Sequence, residues 1–99
     1  MLIVRVAVHV KPEGRDAFVA QLTKEHAEVP SRFAGCERFE AFASAIDPNS
    51  FLIYEEWASR DAFDAYKTSA YFTEGGKVLF PLMDSGPDSA YYESERVGP

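Results

Sequence analysis

The sequence predicts a single α+β domain, in which helices cover one face of a four-stranded antiparallel sheet. Three observations lead to this fold class. Residues 2–10 alternate with the period of two that is typical of a half-covered strand. The segment after Gly14 repeats its apolar side chains at the three- and four-residue spacings of an amphipathic helix. The turn signal DPNS at residues 47–50 separates two further apolar segments and predicts a hairpin.

The first strand has one apolar face and one mixed face. The apolar face consists of Leu2, Val4, Val6, Val8 and Val10. Arg5 and His9 fall on the opposite face, so one side of the strand is expected to meet a core and the other to stay partly polar. Because the apolar opening segment is short, contains these polar residues and lacks a small-residue cleavage site, we interpret it as a strand and not as an export signal.

The first helix is predicted from four side chains on one face. These are Phe18, Leu22, His26 and Val29. Pro30 is expected to end the helix, because proline in a helix interior removes a backbone hydrogen bond. The spacing therefore predicts that His26 faces inward, near the helix C-terminus.

The second and third strands are predicted to form the hairpin. In residues 36–44, Phe39 is expected on one side of the strand and Cys36 on the other. Residues 51–57 have the β-branched and aromatic content of the partner strand. Alternation along this partner places Trp57, Glu55 and Ile53 on one face.

Two serines are placed to begin helices in the second half of the chain. Ser59 and Ser69 are residues that commonly cap helix N-termini. The second of these helices contains Gly75-Gly76 and is expected to be irregular. Residues 89–97 give the last strand, so the order is β, α, β, β, split α, β, which is the ferredoxin-like order. The uncovered face of the sheet predicts a homodimer packed through it.

Composition excludes several function classes. The net charge of −6 and the absence of a basic stripe argue against nucleic acid as a partner. No apolar segment approaches the ~20 residues needed to span a membrane, so no membrane partner is expected. Cys36 is the only cysteine, which fits a reducing cytoplasm. The two histidines lie far apart in sequence and give no metal-ligand spacing, so no metal is expected.

Three segments in succession resemble the antibiotic biosynthesis monooxygenase (ABM) domain family. They are FAGCERFEAF, DPNSFLIYEEWASRDAFDAYKTSAYF and FPLMDSGPDSAYY. The resemblance covers nearly the whole of residues 1–99 and implies a dimeric ferredoxin-like α/β barrel, with a pocket between sheet and helices in each subunit. It also implies a choice of activities. The family includes cofactor-independent oxygenases of anthrones and quinols, a haem-degrading branch and an isomerase-like branch that processes autoinducer-2.

Departures from the family pattern bear on the activity. Tyr66 and Tyr71 stand where many members have histidine. Gly76 stands where the haem-degrading branch has its axial histidine, which disfavours haem turnover. Anthrone oxygenases pair their tryptophan with an asparagine four residues earlier, whereas here Ile53 precedes Trp57 at that distance.

Three residues are predicted to carry the chemistry. His26 matches a histidine of the isomerase-like branch, and its ordinary pKa lies near neutrality, so we predict that it is the general base. Trp57 is predicted to form an aromatic wall with an indole donor. Glu55 shares its compartment, although the residues alone favour a pairing of Glu55 with Arg5 or Arg38 at the sheet edge. The residues expected to line the substrate site are Tyr66, Tyr71, Phe72 and Ile53.

These residues favour a monooxygenase that needs no metal or flavin. The substrate would be a quinol- or anthrone-like aromatic, and dioxygen would be the second reactant. One alternative is an isomerase-like enzyme with a carbonyl substrate, resembling the autoinducer-2 branch. Another is a non-catalytic dimeric module that binds a hydrophobic metabolite, as in a stress response.

Overall fold

The computed structural model describes residues 1–99 and has the predicted order of elements. These are β1 (Leu2–His9), α1 (Arg15–Arg32), β2 (Cys36–Ala43), β3 (Ser50–Trp57), α2 (Arg60–Lys67), α3 (Ala70–Leu79) and β4 (Asp88–Glu93). Short 3-10 turns precede α1 and follow α3. All strand pairs are antiparallel and the sheet order is β2-β3-β1-β4. The predicted α+β, ferredoxin-like class is confirmed.

The core lies between one face of the sheet and the helices. The predicted apolar face of β1 is confirmed, since Leu2 and Val4 are almost fully buried. Alternate residues of β3, from Phe51 to Trp57, are buried on the same side of the sheet. Phe18 of α1 contacts Phe51 with ring centroids 5.1 Å apart. These apolar contacts fix α1 against the sheet and so decide which of its side chains face the interior.

The first helix does not end at Pro30. It continues to Arg32, with the proline inside its last turns. The backbone N–H of Phe33 donates to the carbonyl of Val29 at 3.0 Å, which closes the turn beyond the proline. The chain tolerates the proline here because only one helical hydrogen bond is lost, close to the helix end.

The predicted side of Cys36 is also wrong. Strand β2 has a bulge between Cys36 and Arg38, and Cys36 lies opposite Trp57 of β3. The extra residue reverses the alternation, so Cys36 and Phe39 are both buried on the inner face.

The two serines predicted to cap helices in the second half of the chain do so. The hydroxyl of Ser59 accepts the N–H of Ala62 at 3.1 Å, and the hydroxyl of Ser69 accepts the N–H of Phe72 at 3.2 Å. Helix α3 is continuous across both of its glycines, so the expected irregularity is confined to the 3-10 turn after it.

Strand β4 is shorter than predicted. It ends at Glu93, which lies opposite Leu2 at the very start of β1. Beyond Glu93 the chain pairs only through Ser94, whose N–H donates to the carbonyl of Met1 at 2.8 Å and whose carbonyl accepts the Met1 amino group at 3.0 Å. The predicted extension of the strand to residue 97 is therefore wrong.

No helix covers the outer face of the sheet, which carries both apolar and charged side chains. Phe42 and Tyr92 are 46% and 47% exposed there. They share the face with charged side chains such as Arg38 and Glu56. None of the helices combines the length and hydropathy that crossing a bilayer requires.

Candidate functional site

A cavity of about 290 Å³ lies between the inner face of the sheet and the helices. Each element around it contributes side chains to its lining. Strand β3 supplies Ile53 and Glu55, α1 supplies Glu25, α2 supplies Tyr66 and α3 supplies Phe72. Most of the lining is apolar, so the two carboxyl groups stand out as its chemically reactive members.

Glu55 is the best-defined acid–base group of this cavity. It is 5% exposed, and the indole N–H of Trp57 donates to its Oε1 at 2.8 Å. Burial raises the pKa of Glu55 to about 7, while the hydrogen bond from Trp57 opposes that rise. The predicted common face of Trp57, Glu55 and Ile53 is confirmed by their burial. The alternative pairing of Glu55 with an arginine at the sheet edge is excluded by this geometry.

Trp57 lies behind the residues that line the cavity and does not itself line it. Its side chain is fully buried and Tyr66 stacks on it, with ring centroids 5.1 Å apart and planes inclined by 25°. Phe63 meets it edge-on at 5.7 Å. Since Tyr66 and Phe63 line the cavity and Trp57 does not, the prediction that Trp57 stacks directly on a substrate is wrong. Its contribution is the indole N–H that orients the Glu55 carboxyl.

The predicted lining residues divide into two groups. Tyr66, Phe72 and Ile53 lie in the lining, as expected. Tyr71 does not, because its hydroxyl donates to Glu28 Oε1 at 3.1 Å on the neighbouring α1. The guanidinium of Arg32 also lies 4.9 Å above the Tyr71 ring. Tyr71 therefore connects α3 to α1 through its hydrogen bond and does not line the cavity.

Tyr66 and Tyr71 both keep their phenolic protons at neutral pH. Burial raises the pKa of Tyr66 well above its ordinary range. Burial and the hydrogen bond to Glu28 raise the pKa of Tyr71 to about 12. Neither phenol is therefore a proton acceptor near neutrality.

His26 does not face the cavity. Its side chain is 54% exposed, and Nδ1 lies 2.7 Å from the carbonyl oxygen of Phe39 and 3.6 Å from Glu40 Oε1. It borders a separate surface groove between α1 and β2. The prediction that His26 faces inward is wrong because the buried stripe of α1 passes through Glu25 instead.

Glu25 is the site residue that the sequence interpretation missed. It is 4% exposed and its Oε2 accepts the amide N–H of Gln21 at 2.8 Å. A Cβ atom added to Gly75 would lie only 3.1 Å from Glu25 Oε2, so the glycine makes room for the carboxyl against α3. The available signal was its spacing from Leu22 and Val29, three and four residues away, which suits a helix face as well as that of His26.

The two carboxyls share the cavity without a buried cation. Burial raises the pKa of Glu25, and the charge of Glu25 contributes to the rise at Glu55. Lys67 is the one cationic side chain in the lining, and it is exposed, with Nζ 3.2 Å from the hydroxyl of Tyr91. An apolar cavity with two such groups suits proton transfer to and from a largely hydrophobic ligand.

Metal ligation has no comparable site. No three histidine, cysteine, aspartate or glutamate side chains come close enough together to hold an ion. Gly76 lines the cavity without offering a ligand atom, and a Cβ atom there would lie 2.9 Å from the ring of Phe80.

Comparison with known proteins identifies the family. The antibiotic biosynthesis monooxygenase (ABM) family model matches residues 1–77, so the chain belongs to this family. An uncharacterized protein from Synechocystis sp. is 30% identical over 73 residues, which are 74% of this chain and 49% of that protein. The chain thus spans about half the length of this curated relative.

Solved structures share the whole fold. A "putative antibiotic biosynthesis monooxygenase" from Nitrosomonas europaea is 26% identical, with a TM-score of 0.83 over 95% of this chain and 98% of that one. A conserved protein from Methanosarcina mazei Go1 is 23% identical, with a TM-score of 0.86 over 95% of this chain and 92% of that one. The predicted resemblance to the ABM family is therefore confirmed.

Proposed function

We propose that the protein is an oxygenase of electron-rich aromatic compounds of the quinol or anthrone type, with Glu55 as its general base. The observation that carries the proposal is the position of Glu55, a carboxyl buried in an apolar cavity and oriented by the indole N–H of Trp57. Membership of the ABM family supports the monooxygenase class.

The protonation behaviour of Glu55 suits this role. A general base is most effective when its pKa lies near the working pH, and burial brings the pKa of Glu55 to about 7. An ordinary glutamate, with a pKa near 4.5, would be ionised but too weak a base for a phenol or an activated C–H bond. Oε1 is held by Trp57, which leaves Oε2 for the substrate.

The reaction we propose consumes one molecule of dioxygen and releases one of water. The Glu55 carboxylate removes a proton from the ring methylene of an anthrone-like substrate, and the resulting anion transfers an electron to dioxygen. A C–O bond then forms, and the peroxide takes back the proton from Glu55. Loss of water breaks the O–O bond and leaves a carbonyl, so a CH₂ group and O₂ become C=O and H₂O.

The apolar lining supplies the conditions for such chemistry. Tyr66, Phe72 and Ile53 offer rings and an aliphatic side chain to a flat substrate. Exclusion of water protects a carbanion from being reprotonated by solvent. The activation of dioxygen is then left to the electron-rich substrate itself.

The direct test is oxygen uptake by chelator-treated protein with anthrone and with a panel of quinols and naphthols. Anthracene is the matched control, because it has the same ring system and no acidic proton. Uptake with anthrone, with one atom of ¹⁸O₂ retained in the product, supports the proposal. Saturable binding with no uptake at any pH overturns it in favour of a binding module. Deuterium exchange into a carbonyl substrate in air-saturated buffer, with no oxygen uptake, overturns it in favour of an isomerase.

We also propose that two copies pair through the outer face of the sheet. Phe42 and Tyr92 are large, half-exposed side chains on that face, and burying them would stabilise a dimer. Sedimentation of the wild type and of Phe42→Lys tests this arrangement. A dimer for the wild type and a monomer for the variant are expected, whereas a monomeric wild type would contradict it.

A further inference from the structure

The charged side chains of the cavity differ in their exposure. Its two carboxyl groups, Glu25 and Glu55, are 4% and 5% exposed and therefore belong to its interior. Its single cation, Lys67, is exposed, and it also borders a shallow outer groove along α3. Phe72 and Phe80 line both the cavity and this groove. Lys67 therefore lies at the mouth of the cavity, where the apolar interior meets solvent.

Lys67 has no carboxylate partner in the protein. None of the ion pairs of the chain includes it, although Asp64 lies one turn earlier on α2. Its Nζ donates to the hydroxyl of Tyr91 at 3.2 Å and lies 5.8 Å from the centre of the Phe63 ring. The guanidinium of Arg60, which also forms no ion pair, lies 5.9 Å from the centre of the Tyr91 ring. Two cations thus flank Tyr91 at the mouth without a counter-ion.

We propose that this mouth is a carboxylate-binding subsite, in which Lys67 and Tyr91 hold an anionic substituent of the substrate while its rings lie in the apolar interior. The inference rests on the proposed function of the same cavity. It narrows the substrate class to anthrones or quinols that carry a carboxylate remote from the reacting position. Lys67 is then a specificity-determining residue and takes no part in the proton transfer.

The hydrogen-bond donors at the mouth match the two oxygens of a carboxylate. A lysine ammonium has three N–H donors, and Tyr91 accepts one of them. Because the Tyr91 hydroxyl accepts that bond, its own proton is available to a ligand. Phosphate sites commonly use arginine forks or the backbone N–H groups of glycine-rich loops, and no arginine lines the cavity or the groove. The donor set therefore favours a carboxylate.

The distribution of charge also sets the orientation of such a ligand. An ionised carboxyl in the interior repels a ligand carboxylate, and Lys67 attracts it at the exposed end. The net charge of −6 disfavours anions over the protein as a whole, so a preference for an anionic ligand has to come from local cations. The ligand would therefore present its rings to Glu55 and its carboxylate to the mouth.

Binding of 2-naphthoate and 2-naphthamide, measured by isothermal titration calorimetry, tests the subsite without turnover. The two compounds have the same rings and nearly the same shape, and they differ in charge. Wild type should bind 2-naphthoate roughly three- to tenfold more tightly, the contribution of one partly exposed, charged hydrogen bond. Lys67→Met should lose this preference, and Lys67→Arg, which keeps the charge, should retain it.

Lys77→Met is the matched control for the loss of one positive charge. Lys77 lines the outer groove but not the cavity, and it pairs with Glu74 at 2.9 Å, so the preference should survive this change. Added NaCl should weaken the preference of the wild type, because salt screens an exposed charge. No preference in the wild type, or a preference that survives in Lys67→Met, would overturn the proposal. Equal losses in Lys67→Met and Lys77→Met would also overturn it, because they would indicate a general field and not a contact.

Oxygen uptake keeps this inference separate from the oxygenase proposal. With anthrone-2-carboxylate, Lys67→Met should raise KM roughly three- to tenfold and leave kcat unchanged, since the contact is the same before and during reaction. With unsubstituted anthrone the variant should match wild type. If neither compound supports uptake but the naphthoate preference follows Lys67, the oxygenase fails and the carboxylate subsite stands. If both are oxidised and Lys67→Met changes neither KM, the subsite fails and the oxygenase stands.

Discussion

Glu25 and His26 are adjacent on α1, yet they lie in opposite environments. The carboxyl of Glu25 is 4% exposed and lines the cavity between the sheet and the helices. The imidazole of His26 is 54% exposed and borders a shallow groove outside it. One step along a helix turns a side chain by about 100°, which is enough to move it from the core to the surface.

The contrast shows that surroundings decide which group does acid–base work. Histidine has the ordinary pKa closest to neutrality, but His26 meets only a backbone carbonyl and Glu40. Glutamate ordinarily titrates far below neutrality, but burial brings the pKa of Glu55 to about 7. The inner carboxyls, and not the imidazole, are therefore expected to respond to substrate.

Replacing the inner base should have the largest effect. Glu55→Gln keeps the shape and a hydrogen-bonding group but removes the proton acceptor, so kcat/KM for oxygen uptake should fall by roughly 10²- to 10⁴-fold. The matched control is Glu56→Gln on the outer face of the same strand, where Tyr54 donates to the carboxyl. Activity should survive in that control, and comparable losses in both variants would contradict the special role of the inner face.

The same residue should govern how stability depends on pH. The folded pKa of Glu55, about 7, lies above the value of 4.5 for an unperturbed glutamate, so the folded state holds its proton more tightly than the unfolded state. The free energy of unfolding should therefore fall as pH rises through this interval, by ~3 kcal/mol for this group.

Urea unfolding of wild type and Glu55→Gln measures this contribution. The variant should show the shallower fall, with the two curves separating as pH rises. His9, whose pKa is raised by its bonds to Asp84 and Asp47, also lowers stability as pH rises, and it does so equally in both proteins. Parallel curves for wild type and variant would mean that Glu55 is not the titrating group.

Removing the indole donor should produce a smaller effect on activity. Trp57→Phe deletes the N–H that stabilises the ionised form of Glu55, so the rising limb of the pH profile should move upward by about 1 unit. Tyr54→Phe is the matched control, because it deletes a comparable donor to Glu56 on the outer face. A downward shift in Trp57→Phe, or equal shifts in both, would refute the assigned contact.

Replacing His26, the exposed imidazole, should have the smallest effect on activity. His26→Ala removes one part-buried hydrogen bond to the carbonyl of Phe39, and kcat/KM should stay within about twofold of wild type. The free energy of unfolding should change by less than about 1 kcal/mol. A loss of tenfold or more in oxygen uptake would return His26 to the reaction and reverse the comparison.

The fold could be predicted almost completely from the sequence, and its errors have local causes. Alternation in β1 and β3 and the capping serines depend on neighbouring residues alone, and these predictions are confirmed. The side of Cys36 depended on a bulge that follows from the pairing of β2 with β3. The continuation past Pro30 depended on the hydrogen bond from Phe33 to Val29, which closes the last turn beyond the proline. Neither can be inferred from periodicity.

The site residues on β3 could be predicted from the sequence, whereas Glu25 on α1 could not. In a strand without a bulge, such as β3, alternation by two assigns each side chain to one face, so the common face of Glu55 and Trp57 followed directly. A helix has 3.6 residues per turn, and positions 25 and 26 both suit a face defined by Leu22 and Val29. Glutamate is almost never fully buried, so its residue type gave no reason to place Glu25 inside, and the room that Gly75 leaves for its carboxyl is seen only in the folded structure.

The hydrogen bond between Trp57 and Glu55 also gives the protein an intrinsic fluorescent reporter of the protonation state of Glu55. The chain has one tryptophan, and its indole N–H points at the carboxyl proposed to accept the substrate proton. Ionisation of that carboxyl places a full negative charge 2.8 Å from the fluorophore, so its emission should follow the titration of Glu55 in the resting protein. Proton occupancy can thus be recorded optically, on a stopped-flow timescale, with no label and before any substrate has been identified.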